Sequence, residues 1–224
     1  MEIAVEHIKK RYGKKRVLND ISFTAKEGEC VGIVGGNGCG KSTLLSILAG
    51  VLRPDGGKFL CDGENLLSKA DKRSEIVGYI PQNTPLIEEL TAIDNLRLWS
   101  TRDEIEKSLK NGVLKMLGVD KFLKTTVRKM SGGMKKRLAI GCAVIHNPKV
   151  LIMDEPSSAL DLACKEEISE YMSEFRKNGG IIVISTHDTA EISMCSSLYI
   201  MKDGVLNPFK FDGDIRGLVG KFTS

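Results

Sequence analysis

Four glycines and one lysine cluster in the segment GGNGCGKST, which follows the apolar stretch ECVGIVG. The segment matches the pattern G-x-x-x-x-G-K-[ST], and apolar residues at helical spacing follow it, so it stands between a predicted strand and a predicted helix. Glycines leave no Cβ in the way, so successive backbone amides can curl around a polyphosphate. The segment therefore predicts a nucleotide-binding loop made of Gly35, Gly36, Asn37, Gly38, Cys39, Gly40, Lys41, Ser42 and Thr43.

Two side chains at the end of this loop suit specific tasks. Lys41 is expected to reach the β- and γ-phosphates, and the Ser42 hydroxyl is expected to coordinate Mg²⁺. A helix that starts at Lys41 also directs the positive end of its dipole at the same anion. A flexible turn is the alternative interpretation, and the flanking strand and helix disfavour it.

Two adjacent carboxylates follow the apolar run VLIM at residues 150–153. Mg²⁺ takes few protein ligands and keeps several waters, so Asp154, at the end of a predicted strand, suits the ion through a water molecule. Glu155 is then free to orient and polarise an attacking water. Such a pair is weakly informative alone, but downstream of a phosphate loop it predicts nucleotide hydrolysis.

A second predicted helix start could also bind an anion. In MSGGMKKRL, Ser131 is the expected N-cap, and Gly132 and Gly133 occupy the first helical positions. An ordinary capped helix would not need these glycines, because glycine costs helix stability of up to about 1 kcal/mol per residue. The segment therefore indicates a second contact with the nucleotide, on a different face.

Length and composition narrow the class of protein. The 224 residues, 42% hydrophobic and 28% charged, suit a folded globular domain. No apolar run approaches the roughly 18 residues that span a bilayer, and MEIAVEHIKK does not resemble a signal peptide, so we expect a soluble chain. The net charge of +4 is too small to indicate nucleic-acid binding. Six cysteines without a C-x-x-C pair indicate reduced cytosolic thiols rather than a zinc or disulfide framework.

The order of predicted elements indicates an α/β fold. Strand-like alternation fills the first 34 residues, and strands and helices alternate again after residue 146. The middle block is helical, with the capping patterns TAID and TRDE. We therefore expect one domain over residues 1–224 with a P-loop NTPase core and a mixed sheet. Residues 1–89 and 146–224 would form this core with an N-terminal antiparallel β subdomain, and residues 90–145 a helical subdomain.

Six motifs in this order resemble the ATP-binding cassette (ABC) family. They are the phosphate loop, YIPQN with Gln82, the SGG segment, VLIMDE, and SALD followed by STHD with His187. The resemblance covers residues 12 to about 203. It implies a Mg²⁺-dependent ATPase in which two cassettes, identical or different, dimerise head to tail. Similar cassettes serve an integral membrane permease as a separate subunit, peripherally on the cytoplasmic face of the membrane.

The resemblance also implies roles for further residues. Tyr12 would stack on adenine, and Gln82 would contact Mg²⁺ and couple to the membrane partner. Ser131 and Gly133 would touch the γ-phosphate held by the other cassette, and His187 would contact it within the same chain. The expected catalytic set is thus Glu155, His187, Lys41 and Gln82, and the expected Mg²⁺ ligands are Ser42, Gln82 and Asp154.

The segment MSGGM, residues 130–134, departs from the family pattern in two places, since Met130 and Met134 stand where leucine and glutamine are usual. SGGM followed by basic residues is similar to exporter ATPases. The expected function is ATP-driven transport, with export favoured. A soluble ABC ATPase outside transport and a non-hydrolysing regulatory module are the alternatives. Ordered motifs with intact Lys41 and Glu155 disfavour the regulatory module.

Three further expectations concern individual side chains. Leu86, Ile87 and Leu90 could present an apolar surface to a membrane partner, or could pack inside the helical subdomain. Trp99 is expected to pack within the protein. Cys39 lies inside the phosphate loop, so a bulky thiol modification there should block ATP binding.

Overall fold

The computed structural model describes residues 1–83, 85–158, 160–211 and 213, and it has the predicted mixture of strands and helices. The strands are β1 (Glu2–Tyr12), β2 (Lys15–Lys26), β3 (Cys30–Val34), β4 (Gly56–Cys61), β5 (Glu64–Asn65), β6 (Val77–Ile80), β7 (Val150–Asp154), β8 (Ile181–Ser185), β9 (Ser197–Lys202) and β10 (Val205–Phe209). The helices are α1 (Lys41–Ala49), α2 (Ala70–Ile76), α3 (Ala92–Arg97), α4 (Arg102–Asn111), α5 (Val113–Met116), α6 (Gly132–Val144), α7 (Leu162–Lys177) and α8 (Thr189–Met194). Short 3₁₀ turns cover Leu66–Ser68, Val119–Phe122 and Val127–Lys129.

The first sheet is antiparallel and has the strand order β2-β1-β4-β5. In β1 and β2, buried and exposed residues alternate over much of each strand, because one face packs on the core and the other meets water. Ile3 and Val5 of β1 are therefore buried opposite Ala25 and Phe23 of β2. The predicted antiparallel β subdomain is confirmed.

The second sheet has the order β10-β9-β3-β8-β7-β6 and is parallel except for β10. All residues of β3, β7 and β8 are buried, as expected for central parallel strands covered on both faces. The carboxyl ends of parallel strands meet at one edge of a sheet. The phosphate loop, Gln82, Glu155 and His187 each follow one of these strands, so the sheet topology alone brings them together.

Alternating side chains of β7 separate two apolar clusters. Val150 and Ile152 belong to a cluster that also contains α1 and the antiparallel sheet. Leu151 and Met153 belong to a cluster formed with α6, α7 and the smaller helices between β6 and β7. Successive side chains of a strand point to opposite faces of the sheet. The helices of the second cluster therefore pack on one face of the parallel sheet, and α1 and the antiparallel sheet pack on the other.

Local signals set several helix ends. Thr101 and Glu104 form a reciprocal capping box at the start of α4, and Thr91 caps α3 by accepting a hydrogen bond from the Asp94 amide. Gly50 ends α1 in the left-handed conformation with φ of 85°. The helix α2 was not expected, since its sequence ADKRSEI buries no residue and so carries no apolar stripe.

The expectation that Trp99 packs inside the protein is wrong. Trp99 is 61% exposed, and its neighbour Leu98 is 55% exposed, because both follow the last turn of α3 at the surface. Within the described part of the chain, no helix has the length and apolar character needed to cross a bilayer.

Candidate functional site

The phosphate loop encloses the side chain of Lys41. The Nζ atom of Lys41 donates hydrogen bonds to the carbonyl oxygen of Gly35 at 2.6 Å and of Gly36 at 3.2 Å. Lys41 is only 6% exposed, whereas Ser42, the next residue of α1, is exposed. The loop therefore holds a positive charge in a fixed place at the start of a helix, which is the arrangement that binds a phosphate group.

Gly40 must be a glycine for two reasons. Its φ of +116° lies in a region that residues with a Cβ rarely adopt. A Cβ at this position would also lie 2.9 Å from the carbonyl oxygen of Val17 and 2.9 Å from Leu18 Cδ2. The loop therefore packs against the beginning of β2 closely enough to exclude any side chain.

A cavity of about 360 Å³ adjoins the outer side of the loop. Residues 36–39 form one wall, Lys15 and Arg16 of β2 form another, and residues 201–204, at the end of β9 and in the turn that follows, close the cavity. Tyr12 pairs directly with Lys15 across the β1–β2 turn and is 49% exposed. Two basic side chains thus lie beside the loop, and the exposed aromatic Tyr12 is the strand partner of one of them, which suits a polyphosphate and its base.

The two carboxylates after β7 have different surroundings. Asp154 is 3% exposed, and one carboxylate oxygen accepts a hydrogen bond from Ser185 Oγ of the neighbouring strand β8. Glu155 is half-buried, and its amide donates to the Ser185 carbonyl oxygen at 3.0 Å. Its φ of 47° is unusual for a residue with a Cβ, and such backbone outliers cluster at functional sites.

Glu155 is the point where three predicted side chains meet. Gln82 Nε2 donates a 3.1 Å hydrogen bond to Glu155 Oε2, and His187 Nε2 lies 3.6 Å from Glu155 Oε1. Burial lowers the pKa of His187, the charge of Lys41 lowers it further, and Glu155 opposes both effects. The imidazole is therefore neutral at pH 7, and the site combines one carboxylate, one amide and one neutral imidazole.

A buried polar network lies behind His187. Thr186 donates its hydroxyl hydrogen to Glu191, and the Asp188 amide donates to Thr186 Oγ1 at 2.9 Å. Lys165 of α7 pairs with Asp188 at 2.7 Å. Glu191 is 4% exposed, and burial raises its pKa. This network fixes the backbone on both sides of His187.

The segment 131–133 begins α6 as predicted. Ser131 Oγ accepts a 3.3 Å hydrogen bond from the Met134 amide, which caps the helix. Ser131 and Gly132 are exposed, and a Cβ at Gly132 would meet no atom within 4 Å. The described lining of the cavity beside the phosphate loop includes no residue of this segment. The second predicted anion site therefore opens to the outside of the protomer.

Part of the SALD motif can be described. Asp161 caps α7, since its Oδ1 accepts a 2.9 Å hydrogen bond from the Cys164 amide. Cys164 in turn packs against Gly133 of α6, because its Sγ lies 3.1 Å from where a Cβ of Gly133 would be. Ala159 of the motif lies outside the described residues.

Sequence reasoning missed several residues of the site. The available signal for Lys15 and Arg16 was the basic run KKRYGKKR, but such a run is more often a solvated face than part of a site. Glu191 and Ser185 carried no signal, because short polar residues after a strand are common. The other two histidines, His7 and His146, are exposed and lie outside the described lining of the cavities at the phosphate loop and at His187.

Comparison with known proteins supports the predicted membership of the ABC family. The sequence profile of the ABC transporter family matches residues 18–158. The linearmycin resistance ATP-binding protein LnrL of Bacillus subtilis is 34% identical over 208 residues, which cover 90% of this chain and 67% of that protein. The lantibiotic transport ATP-binding protein SrtF of Streptococcus pyogenes is 31% identical over 213 residues, which cover 94% and 92% of the two chains.

Solved structures with the same fold include an ATP-binding subunit of an ABC transporter. Its TM-score is 0.88 at 28% identity, and the match covers 100% of both chains. A dimeric bacterial ABC transporter cassette gives a TM-score of 0.83 at 28% identity over 95% of this chain and all of that one.

Together these findings show what kind of protein carries the site. Cassettes of this kind pair with a second cassette and with a membrane permease subunit, and the same two kinds of partner apply here. The chain belongs to the ABC transporter family, as an ATP-binding and ATP-hydrolysing subunit that powers transport.

Proposed function

We propose that the chain drives export of its transported substrate, with Glu155 as the residue that activates water for ATP hydrolysis. Two of the similar proteins are named for linearmycin resistance and for lantibiotic transport, and a third, from Burkholderia orbicola, is named a Nod factor export ATP-binding protein. The observation that carries the catalytic assignment is the convergence of Gln82 and His187 on the two oxygens of Glu155.

The residues around Asp154 fit a magnesium ion. A hard cation prefers oxygen ligands, and the Ser42 hydroxyl, the Asp154 carboxylate and the Gln82 amide oxygen are all of that type. The amide nitrogen of Gln82 already donates to Glu155, so its oxygen remains as an acceptor. Bound Mg²⁺ would supply positive charge against the phosphates. Lys41 would add a second positive charge from within the loop.

Tyr12 and the loop would hold the nucleotide. We assign the adenine to the exposed ring of Tyr12, and the phosphates to the amides of residues 35–43, including Thr43 in the first turn of α1. Cys39 is half-buried in the same loop. The pairing of Tyr12 with Lys15, a residue of the adjoining cavity wall, supports this placement.

Each of the three side chains at this contact would then have one task in hydrolysis. The Glu155 carboxylate would accept a hydrogen bond from the attacking water and orient its lone pair. Gln82 would keep the carboxylate turned toward that water. Neutral His187 would contact the terminal phosphate without adding a positive charge that could trap the product.

The exposed segment Ser131, Gly132 and Gly133 would complete the site of a second cassette. Its position outside the cavity beside the loop supports this proposal, because the segment then faces away from the nucleotide of its own chain. The helix start at Gly132 would add backbone amides to the γ-phosphate of the partner's ATP. Closure of the two cassettes on ATP would be the step that moves the membrane subunit.

We further propose that the membrane subunit docks on the apolar surface formed by Ile87, Leu98 and Trp99. These side chains are 45%, 55% and 61% exposed, respectively. Asn95 holds the two segments together, because it accepts from the Ile87 amide at 2.9 Å and donates to the Ile87 carbonyl at 3.2 Å. Leu86 instead packs against the core cluster, and Leu90 is half-buried.

This docking proposal agrees with a peripheral position on the cytoplasmic face of the membrane. We also propose the division of the chain into a helical subdomain of residues 90–145 and a core of residues 1–89 and 146–224. A soluble ABC ATPase outside transport is disfavoured by the transporter relatives, and it would give no role to these three exposed apolar side chains.

Glu155→Gln tests the catalytic assignment. The variant should bind Mg-ATP with the wild-type Kd, while kcat falls by about 100-fold or more, because the amide cannot activate water. It should also form an ATP-dependent dimer in size-exclusion chromatography. The matched control is Glu170→Gln on the exposed side of α7, which should keep wild-type hydrolysis. Wild-type hydrolysis by Glu155→Gln would remove Glu155 from the proposed role.

A further inference from the structure

Lys136 is a buried lysine in the middle of a polar stretch. It is only 4% exposed, although the preceding residue, Lys135, is half-buried and pairs with the more exposed Glu88 at 3.0 Å. Burying an ammonium group is costly unless nearby groups compensate. Burial accordingly lowers the pKa of Lys136, and the carboxylates of Asp154, Glu191 and Glu155 oppose that effect. A lysine at this place needs a reason beyond packing.

The one hydrogen bond described for the Lys136 ammonium connects two motifs. Its Nζ donates to the carbonyl oxygen of Pro81 at 3.3 Å. Pro81 directly precedes Gln82, whose amide donates to Glu155 at 3.1 Å. Lys136 is therefore two hydrogen bonds away from Glu155, and the Pro81–Gln82 peptide is the connection.

The same side chain lies within the electrostatic reach of both carboxylates after β7. Asp154 exerts the largest attraction on Lys136, followed by Glu191 and Glu155. Asp154 is itself 3% exposed, so two negative groups and one positive group share a poorly solvated region. A cation on α6 thus balances the charge of the acids at the end of β7.

We propose that Lys136 is a positioning residue for ATP hydrolysis, which links α6 to the Gln82–Glu155 contact of its own chain. The inference rests on the roles proposed for Gln82 and Glu155. Ser131 to Gly133 begin the helix that carries Lys136 five residues after Ser131, so one rigid element would join the partner's nucleotide to this chain's own Glu155. When α6 moves on contact with the partner's ATP, the Pro81 carbonyl and the Gln82 side chain move with it.

Lys136→Met is the main test, because methionine keeps the straight apolar stem and removes the charge and the donor. We expect kcat of the purified chain to fall about tenfold while KM for Mg-ATP changes less than about twofold, since the loop that binds ATP is untouched. Lys136→Arg keeps a charged donor and should restore much of kcat. Lys135→Met, on the same helix, should keep wild-type kcat.

A double-mutant cycle separates positioning from a merely structural role. If Lys136 acts through Gln82, Lys136→Met should lower kcat by less than about twofold in a Gln82→Ala background. An equal loss in both backgrounds would overturn the proposal, and so would wild-type kcat for the single variant. If Lys136→Met fails to fold, as judged by its Tm, Lys136→Gln takes its place in the cycle. Wild-type hydrolysis by Gln82→Ala and Glu155→Gln would instead contradict the proposed function itself.

Discussion

His187 Nε2 lies 3.6 Å from Glu155 Oε1, and the two residues follow the neighbouring parallel strands β8 and β7. Because burial and Lys41 lower the pKa of His187, this contact joins a carboxylate to a neutral ring at pH 7 rather than forming an ion pair. The ordinary pKa of histidine is 6.5. Below that pH, His187 binds a proton more readily in the unfolded chain than in the folded chain.

The first prediction concerns stability against pH. The contribution of neutral His187 is fully present above pH 6.5 and is lost as pH falls toward the lower pKa of the folded state. His187→Asn should therefore reduce the loss of unfolding free energy between about pH 7.5 and about pH 5.5, measured by urea denaturation. The reduction should be partial, because burial also lowers the pKa of His146. If His187→Asn has the same pH dependence of stability as the wild type, this prediction is wrong.

The second prediction concerns Gly40. Gly40→Ala places a Cβ 2.9 Å from the Val17 carbonyl oxygen at a φ of +116°, so the loop must move. We expect a stability loss of about 1–3 kcal/mol from backbone strain together with weaker ATP binding. Gly56→Ala is the matched control, because a Cβ there meets nothing within 4 Å and no positive φ is involved. Equal stability and ATP affinity of the two variants would contradict the argument.

Much of the site could be predicted from local sequence, because each chemical group follows a buried strand. The glycine-rich loop follows β3 and Glu155 follows β7, and the apolar character of these strands identifies them as central. The parallel arrangement then brings their ends together without further information. Helix starts were equally readable, since Thr101 and Ser131 form their caps with residues three positions away.

Residues whose role depends on long-range packing could not be predicted. Lys136 stands in a basic stretch that resembles any solvated helix face, and only the three-dimensional placement of Pro81 shows that it is buried. The prediction for Trp99 had the opposite error: we expected a buried side chain, because a large aromatic residue is usually buried in a monomer, but Trp99 is exposed. Burial is set by which elements cover a position, and that information is not local.

The third prediction concerns selective thiol modification. Cys39 and Cys195 are half-buried, whereas Cys30, Cys61, Cys142 and Cys164 are buried. Treatment with N-ethylmaleimide should abolish ATP binding of the wild-type chain, because the adduct on Cys39 fills the space beside Gly36 to Gly38. Cys39→Ser should keep its ATP affinity after treatment, and Cys195→Ser should lose it as the wild type does. Loss of binding in treated Cys39→Ser would place the effect elsewhere.

The fourth prediction concerns the docking surface of Ile87, Leu98 and Trp99. Ile87→Glu places a charge within this surface, where desolvation on docking would leave it unpaired. The variant should keep the wild-type Tm and the ATPase activity of the isolated chain, because the Ile87 side chain is 45% exposed. It should nevertheless fail to co-purify with the membrane permease subunit.

Met116→Glu provides the control for this docking experiment. Met116 ends α5 and is 47% exposed, so it accepts a charge as readily as Ile87 does, but it lies outside the proposed surface. Selective loss of co-purification in Ile87→Glu would therefore report the position of the charge rather than its presence. Equal retention by both variants would exclude the surface, and equal loss would indicate that any added negative charge on the helical region disturbs assembly.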